Sequence, residues 1–135
     1  PYSGALIERL QATAARDERV LLPGALYGGD YRTLQRNARL YVQATEVGGT
    51  HPALIEAMGS NGAVLALDTP ENREVGGDSV RYFDFSRLPR VLEDALASDD
   101  IEIRARARAR ARERYSWDAV VEAYEGLFLA IAGWS

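Results

Sequence analysis

Residues Gly62 to Asp68 read GAVLALD, an apolar run of strand length with no polar residue until the final aspartate. A half-buried strand alternates apolar and polar residues; an unbroken run predicts a strand covered on both faces, as in a parallel sheet flanked by helices. Parallel neighbours require crossovers of helix length. The flanking sequence supplies them. RVLLPG (19–24), RLYVQAT (39–45) and the weaker SVRYFD (79–84) read as further short strands, separated by helical patterns. The expected fold class is α/β, a largely parallel sheet with flanking helices, forming a single domain over residues 1–135.

The helical segments follow from spacing and caps. Ser3 opens a pattern carried by Leu6, Ile7, Leu10 and Ala14, and Asp30 is a candidate N-cap for Tyr31, Leu34 and Ala38. TPENREVGGD (69–78) reads as a loop with one helical turn, and Ser86 and Pro89 introduce a helix to about Ala97. EIRARARARARERY alternates alanine with arginine, formally the period of a strand. Both residues are strong helix formers and the run outlasts an ordinary strand, so a helix is expected. Its arginines make a mostly solvated face, with contact to an anionic surface as the functional alternative. Ser116 caps a last helix whose apolar face holds Trp117, Val120, Val121, Tyr124, Leu127, Phe128 and Ile131.

Composition removes whole classes of chemistry. There is no cysteine, hence no disulfide, thiol nucleophile or thiolate metal site. All 16 basic residues are arginine, which excludes Schiff-base or P-loop lysine chemistry within these residues. A net charge of −4 argues against a nucleic-acid partner. No apolar run reaches bilayer-spanning length and no signal-peptide pattern opens the chain. The opening PYSGALIERL lacks a methionine and reads as a piece of a longer protein.

The chemistry-bearing stretch is GGTHPALIEAMGSNG (48–62). A strand ends near Thr45, glycines make a tight loop, and Pro52 starts a helix where a missing N–H costs nothing. Ligands of open α/β sheets sit at the carboxyl ends of strands, where helix N-termini favour anions. Gly48 and Gly49 admit close backbone approach, and Thr50 or His51 is the expected N-cap. Glu56, one turn further, is too deep for a capping box around Thr50. A carboxylate there can accept from both hydroxyls of a diol. These residues describe a nucleotide or sugar-phosphate pocket; the alternative is a structural strand–loop–helix with a surface glutamate. His51 is the single histidine, so no histidine-based metal site is expected.

The string GGTHPALIEAMGSNGAVLALDTPENREV (48–75) resembles the donor-binding, Rossmann-like C-terminal domain of retaining GT-B glycosyltransferases, glycosyltransferase family 4, truncated at its N-terminus. The matching pieces are Glu56-Ala57-Met58-Gly59, Gly62-Ala63-Val64 and Glu74-Val75, and the closing helix is similar at Tyr115-Ser116-Trp117. The resemblance covers nearly the whole chain, and GGTHPALIEAM is closest to the rhamnosyltransferase-like subgroup. It implies that Glu56 binds the donor ribose, that Gly49, Thr50 and His51 line the phosphates, and that Leu26 and Tyr27 lie where the nucleobase is held. The family pairs two glutamates, and the first would fall at Gly48; Glu46 is the nearest carboxylate. The family's diphosphate-binding arginine and lysine have no counterpart. The first strand, first helix and second strand, together with the acceptor-binding N-terminal domain, are expected upstream, so these residues alone are not expected to catalyse transfer.

The resemblance further implies a nucleotide-diphosphate sugar donor, a glycan or lipid-linked acceptor, no cofactor and no bound metal. It also implies a cytoplasmic location, with peripheral membrane association of the parent. A strand edge left open by missing neighbours is an expected self-association site. Two other readings stand beside it: a non-catalytic α/β nucleotide-binding or interaction domain, and a nucleotide-sugar epimerase of the same architecture. Glu74 is expected to fix its loop by accepting backbone N–H bonds, and Asn72 to form a turn. Arg73 is the candidate to reach an anion, and Trp117 and Tyr124 are expected to pack.

Overall fold

The computed structural model describes residues 4–60 and 62–133. Ser3, the expected first cap, lies outside them. The chain forms two compact units, Pro1–Tyr31 and Arg32–Ser135.

In the first unit, helix α1 (Gly4–Ala14) carries Leu6, Ile7 and Leu10, each 42–45% exposed. A tight turn follows, pinned by the Asp17 carboxylate, which accepts from the Arg19 amide at 3.0 Å and from its guanidinium at 2.6 Å. The guanidinium holds the Asp17 carboxyl below its ordinary value. Residues 19–24 are not a strand. A strand is defined by a partner, and among the described residues this run pairs with none; Leu21 is 78% exposed, and Gly24 leaves extended geometry at φ 73°. Helix α2 (Gly28–Asn37) begins two residues earlier than its expected cap, which puts Asp30 in the first turn, where a carboxylate suits the helix dipole.

The second unit is built on a parallel sheet ordered β1 (Leu40–Gln43), β2 (Ala63–Leu67), β3 (Arg81–Phe83). All five β2 residues are buried, as an unbroken apolar run requires. Helices α3 (Pro52–Gly59) and α4 (Pro70–Gly76) make the crossovers, followed by α5 (Leu88–Ala97), α6 (Ile101–Tyr115) and α7 (Trp117–Ala132). Val64 and Ala66 join Leu54, Ala57 and Met58 of α3, Val75 of α4, and Ala107 and Ala111 of α6 in one core. Leu65 and Leu67 join Phe83 in a second core on the opposite face, closed by Leu88, Val91 and Leu92 of α5. Helix α5 packs on β2 and β3, and Leu40 of β1 joins the same cluster while Val42 stays 43% exposed.

The segment expected to be a loop with one turn is the full helix α4. Thr69 caps it by accepting from the Asn72 amide at 3.2 Å, and Pro70 presets its first residue. The Ala–Arg repeat is helical, as expected. Its period of two spreads arginine around the helix while Ala107 and Ala111, four apart, form the small-residue stripe that fits against α3. Arg110 is not on a solvated face: it donates to the Val75 and Glu74 carbonyls, both at 2.7 Å, and so satisfies the end of α4. Gly77 is held to glycine by φ 56° and by this guanidinium, whose Cζ would lie 2.9 Å from an added Cβ.

Asp100 adopts a left-handed conformation, φ 46°, just before α6. Its side chain is only 4% exposed and binds Arg81 of β3 at 3.0 Å, while Arg81 also donates to Ser98 at 3.1 Å. Helix α7 differs from expectation. Trp117 and Tyr124 do not pack; they are 83% and 57% exposed, and no α7 residue is buried. Among the described residues, no helix is long and apolar enough to cross a membrane.

Asp100→Asn keeps a residue tolerant of this backbone but removes the charge, leaving Arg81 without its partner. Urea unfolding should show a loss of about 2 kcal/mol, between the values typical of exposed and fully buried pairs. The Asp84 carboxyl is held at about 2 by bonds from Ser86 and Arg87. Its folded value lies below its unfolded one, so its contribution is present above pH ~4 and lost as pH falls towards ~2. In Asp84→Asn that part of the pH dependence of stability should be missing.

Candidate functional site

The site lies at the carboxyl end of the sheet, where β1 gives way to the loop 44–51 and then α3. Gly48 sits at φ 147°, a conformation that side chains rarely adopt. The His51 imidazole folds over it: a Cβ on Gly48 would meet His51 Cε1 at 2.7 Å. The position expected to hold a first glutamate is thus closed to a side chain by both backbone and neighbour. Glu46 is exposed on the same loop.

His51, not Thr50, is the N-cap of α3, and it caps through its backbone alone. Its carbonyl accepts from the Leu54 amide at 3.0 Å and the Ile55 amide at 3.3 Å. Pro52 has no N–H, so Ala53 carries the remaining first-turn donor. Thr50 is exposed. An added Cβ on Gly49 meets nothing within 4 Å, so internal contacts make no demand for glycine there.

Glu56 is exposed on α3, and no described side chain pairs with its carboxylate. It lies within electrostatic reach of Tyr41. Burial raises the Tyr41 phenol above its ordinary value, and the Glu56 charge adds to the shift. The phenol donates to Gln43 Oε1 at 2.9 Å, and Gln43 Nε2 donates to Thr45 Oγ1 at 2.8 Å. Two alternate residues of β1 and Thr45, just beyond it in the loop, therefore form a polar row within electrostatic reach of the carboxylate. The period-two rule places Tyr41 and Gln43 on one face of β1, with Thr45 next in the same spacing, a signal present in RLYVQAT.

Asn72 continues the row. It is fully buried, and its Nδ2 donates to the Leu67 carbonyl at 2.9 Å and the Thr45 carbonyl at 3.4 Å. The residue expected to form a turn instead ties the carboxyl ends of β1 and β2 together. Its Oδ1 is buried without a donor. Glu74 fixes its surroundings through its carbonyl, which accepts from Arg110, and not through its carboxylate. Arg73, the candidate to reach an anion, already has one: it is paired with Asp68, with Nη2 to Oδ2 at 2.7 Å, and its guanidinium lies 4.4 Å over the Tyr82 ring. Leu26 and Tyr27 belong to the first unit, where Leu26 is half-buried and Tyr27 80% exposed. The second unit brings together Gly49, Thr50, His51 and Glu56 and adds Tyr41, Gln43, Thr45 and Asn72.

Comparison with protein-family models, with curated proteins and with solved structures returns no match.

Asn72→Ala removes the side-chain bonds to the Leu67 and Thr45 carbonyls, leaving Leu67 with the Thr69 amide alone at 2.9 Å, and should cost about 1 kcal/mol in chemical unfolding. Asn72→Asp is expected to cost more at neutral pH, because a buried carboxylate then faces two carbonyl oxygens. Burial raises the folded pKa of that aspartate above its unfolded value, so the excess over Asn72→Ala should shrink as pH falls below ~5. Parallel urea titrations of the two variants at neutral and acid pH measure the difference.

Proposed function

We propose that this chain binds the donor of a retaining GT-B glycosyltransferase: a sugar carried on a nucleoside diphosphate, used in polysaccharide or glycan assembly. The observation that carries this is the exposed, unpaired Glu56 carboxylate one turn into α3, beside the polar row of β1 and behind the Gly48–His51 loop. A carboxylate in that place is suited to a ribose diol, since it accepts two hydrogen bonds at once. Gly49 keeps glycine with no internal contact that needs it, which suits a backbone approached by a ligand. The His51 ring and the Ala53 amide are the donors available to the diphosphate; in such transfer chemistry, stabilising the leaving diphosphate is the main demand. The resemblance of residues 48–75 to the rhamnosyltransferase-like subgroup of glycosyltransferase family 4 supports the same ligand class. The same reading gives the transfer a glycan or lipid-linked acceptor.

A second reading, a non-catalytic α/β nucleotide-binding or interaction domain, draws on one observation. Arg73, the candidate cation, is neutralised by Asp68. Calorimetric titration of the protein with UDP, GDP and TDP, beside Glu56→Ala, separates the two. Donor binding predicts micromolar affinity for one nucleotide, weakened about tenfold or more by the substitution. A folded protein that binds none of the three leaves the interaction-domain reading.

A further inference from the structure

Thr45 is exposed where the chain leaves β1 for the loop, yet two buried amides hold it. Its hydroxyl oxygen accepts from Gln43 Nε2 at 2.8 Å, and its carbonyl accepts from Asn72 Nδ2 at 3.4 Å. Gln43 is 6% exposed and Asn72 fully buried, one on β1 and the other on α4. Loop residues are ordinarily mobile and solvated. This one is tied to two elements of the sheet layer at once.

The Gln43 amide is itself fixed at its other end, where Oε1 accepts from the Tyr41 phenol at 2.9 Å. A buried amide held between two hydroxyls restricts the place of both. A hydroxyl has one proton and two lone pairs. The bond from Gln43 uses a lone pair of Thr45, and no described residue accepts the Thr45 proton. The row therefore delivers to the surface one positioned donor. It stands at the carboxyl end of a parallel strand, where ligands of such sheets bind. Core packing does not require this arrangement, since an apolar residue at position 43 would fill the space without burying an amide.

We propose that Thr45 donates its hydroxyl proton to an acceptor oxygen of the bound nucleoside diphosphate, with Gln43 as the positioning residue that aims it. The contact rests on the donor-binding reading of the Glu56 site and adds what that carboxylate cannot supply. An ionised Glu56 only accepts, so it takes ligand hydroxyls; Thr45 serves an oxygen that carries no proton. The chain has no lysine, and Arg73 is tied to Asp68. A neutral donor at this edge is therefore of value to an anionic ligand, and a fixed one more so.

Calorimetric titration with whichever of UDP, GDP and TDP binds the wild-type protein tests the contact, with thermal unfolding confirming that each variant is folded. Thr45→Val should weaken binding about tenfold, whereas Thr45→Ser, which keeps the hydroxyl, should bind within about twofold of wild type. Gln43→Leu should weaken binding about threefold in the wild-type background and have no effect in the Thr45→Val background, because it acts only through that hydroxyl. A Thr45→Val chain that binds like wild type, while Glu56→Ala is weakened, overturns the Thr45 contact and leaves the donor reading standing. Equal loss in Thr45→Ser and Thr45→Val also overturns it, and additive effects of Gln43→Leu and Thr45→Val remove the positioning role. A folded wild-type protein that binds none of the three nucleotides overturns the donor reading and this contact together.

Discussion

A parallel sheet leaves the carbonyls at its carboxyl edge without ladder partners, because no hairpin returns there to pair with them. In this chain the Leu67 carbonyl accepts from the Thr69 amide and from the buried side-chain amide of Asn72, which also donates to the Thr45 carbonyl. The bond to Leu67 holds the start of α4 against the end of β2. The bond to Thr45 fixes where β1 releases the loop that carries Gly48 to His51. Asn72 can do this because Thr69 caps α4 through the Asn72 amide, which orients the side chain down into the sheet edge. Asn72 thus links the end of β2 and the start of α4 to the loop that leads to α3.

The rest of the second unit reinforces that edge from outside. Arg110 reaches from α6 to the last carbonyls of α4, and Tyr82 donates to the Gly77 carbonyl at 2.8 Å. Ala107 and Ala111 let α6 come close enough for that reach. Helix α4 is therefore held at its start by a cap and a buried amide, and at its end by a guanidinium and a phenol. Such doubly held short elements suit a binding edge, since they present loops from a fixed base.

How much of this was legible in the sequence depended on whether the signal was local. Strand β2 and helix α3 were readable because an unbroken apolar run and a proline start each encode their own environment. The α6 helix was readable from propensity, against its misleading period. Arg19–Gly24 was misread because a strand is a pairing, and nothing local to RVLLPG says whether a neighbour exists. The role of Asn72 was hidden for the same reason: it joins residues 45, 67 and 72, which only the fold brings together. Trp117 and Tyr124 were read as packed because an apolar stripe announces that it needs cover without naming the cover. At the site, the start of α3 at Pro52 was legible and its cap was narrowed to Thr50 or His51, whereas the reason for Gly48 was not legible. That reason is a ring folded over a backbone, and residue type alone does not carry it.

The central claim is that the carboxyl edge of β1 and the start of α3 form one ligand-binding surface. Amide chemical-shift mapping during titration with UDP or GDP tests this residue by residue. The account predicts shifts concentrated at Tyr41, Gln43 and Thr45, at residues 48–51 and at Glu56, with α5 and α7 unaffected. Shifts centred elsewhere, or none at ~1 mM nucleotide where even weak binding would register, would contradict it.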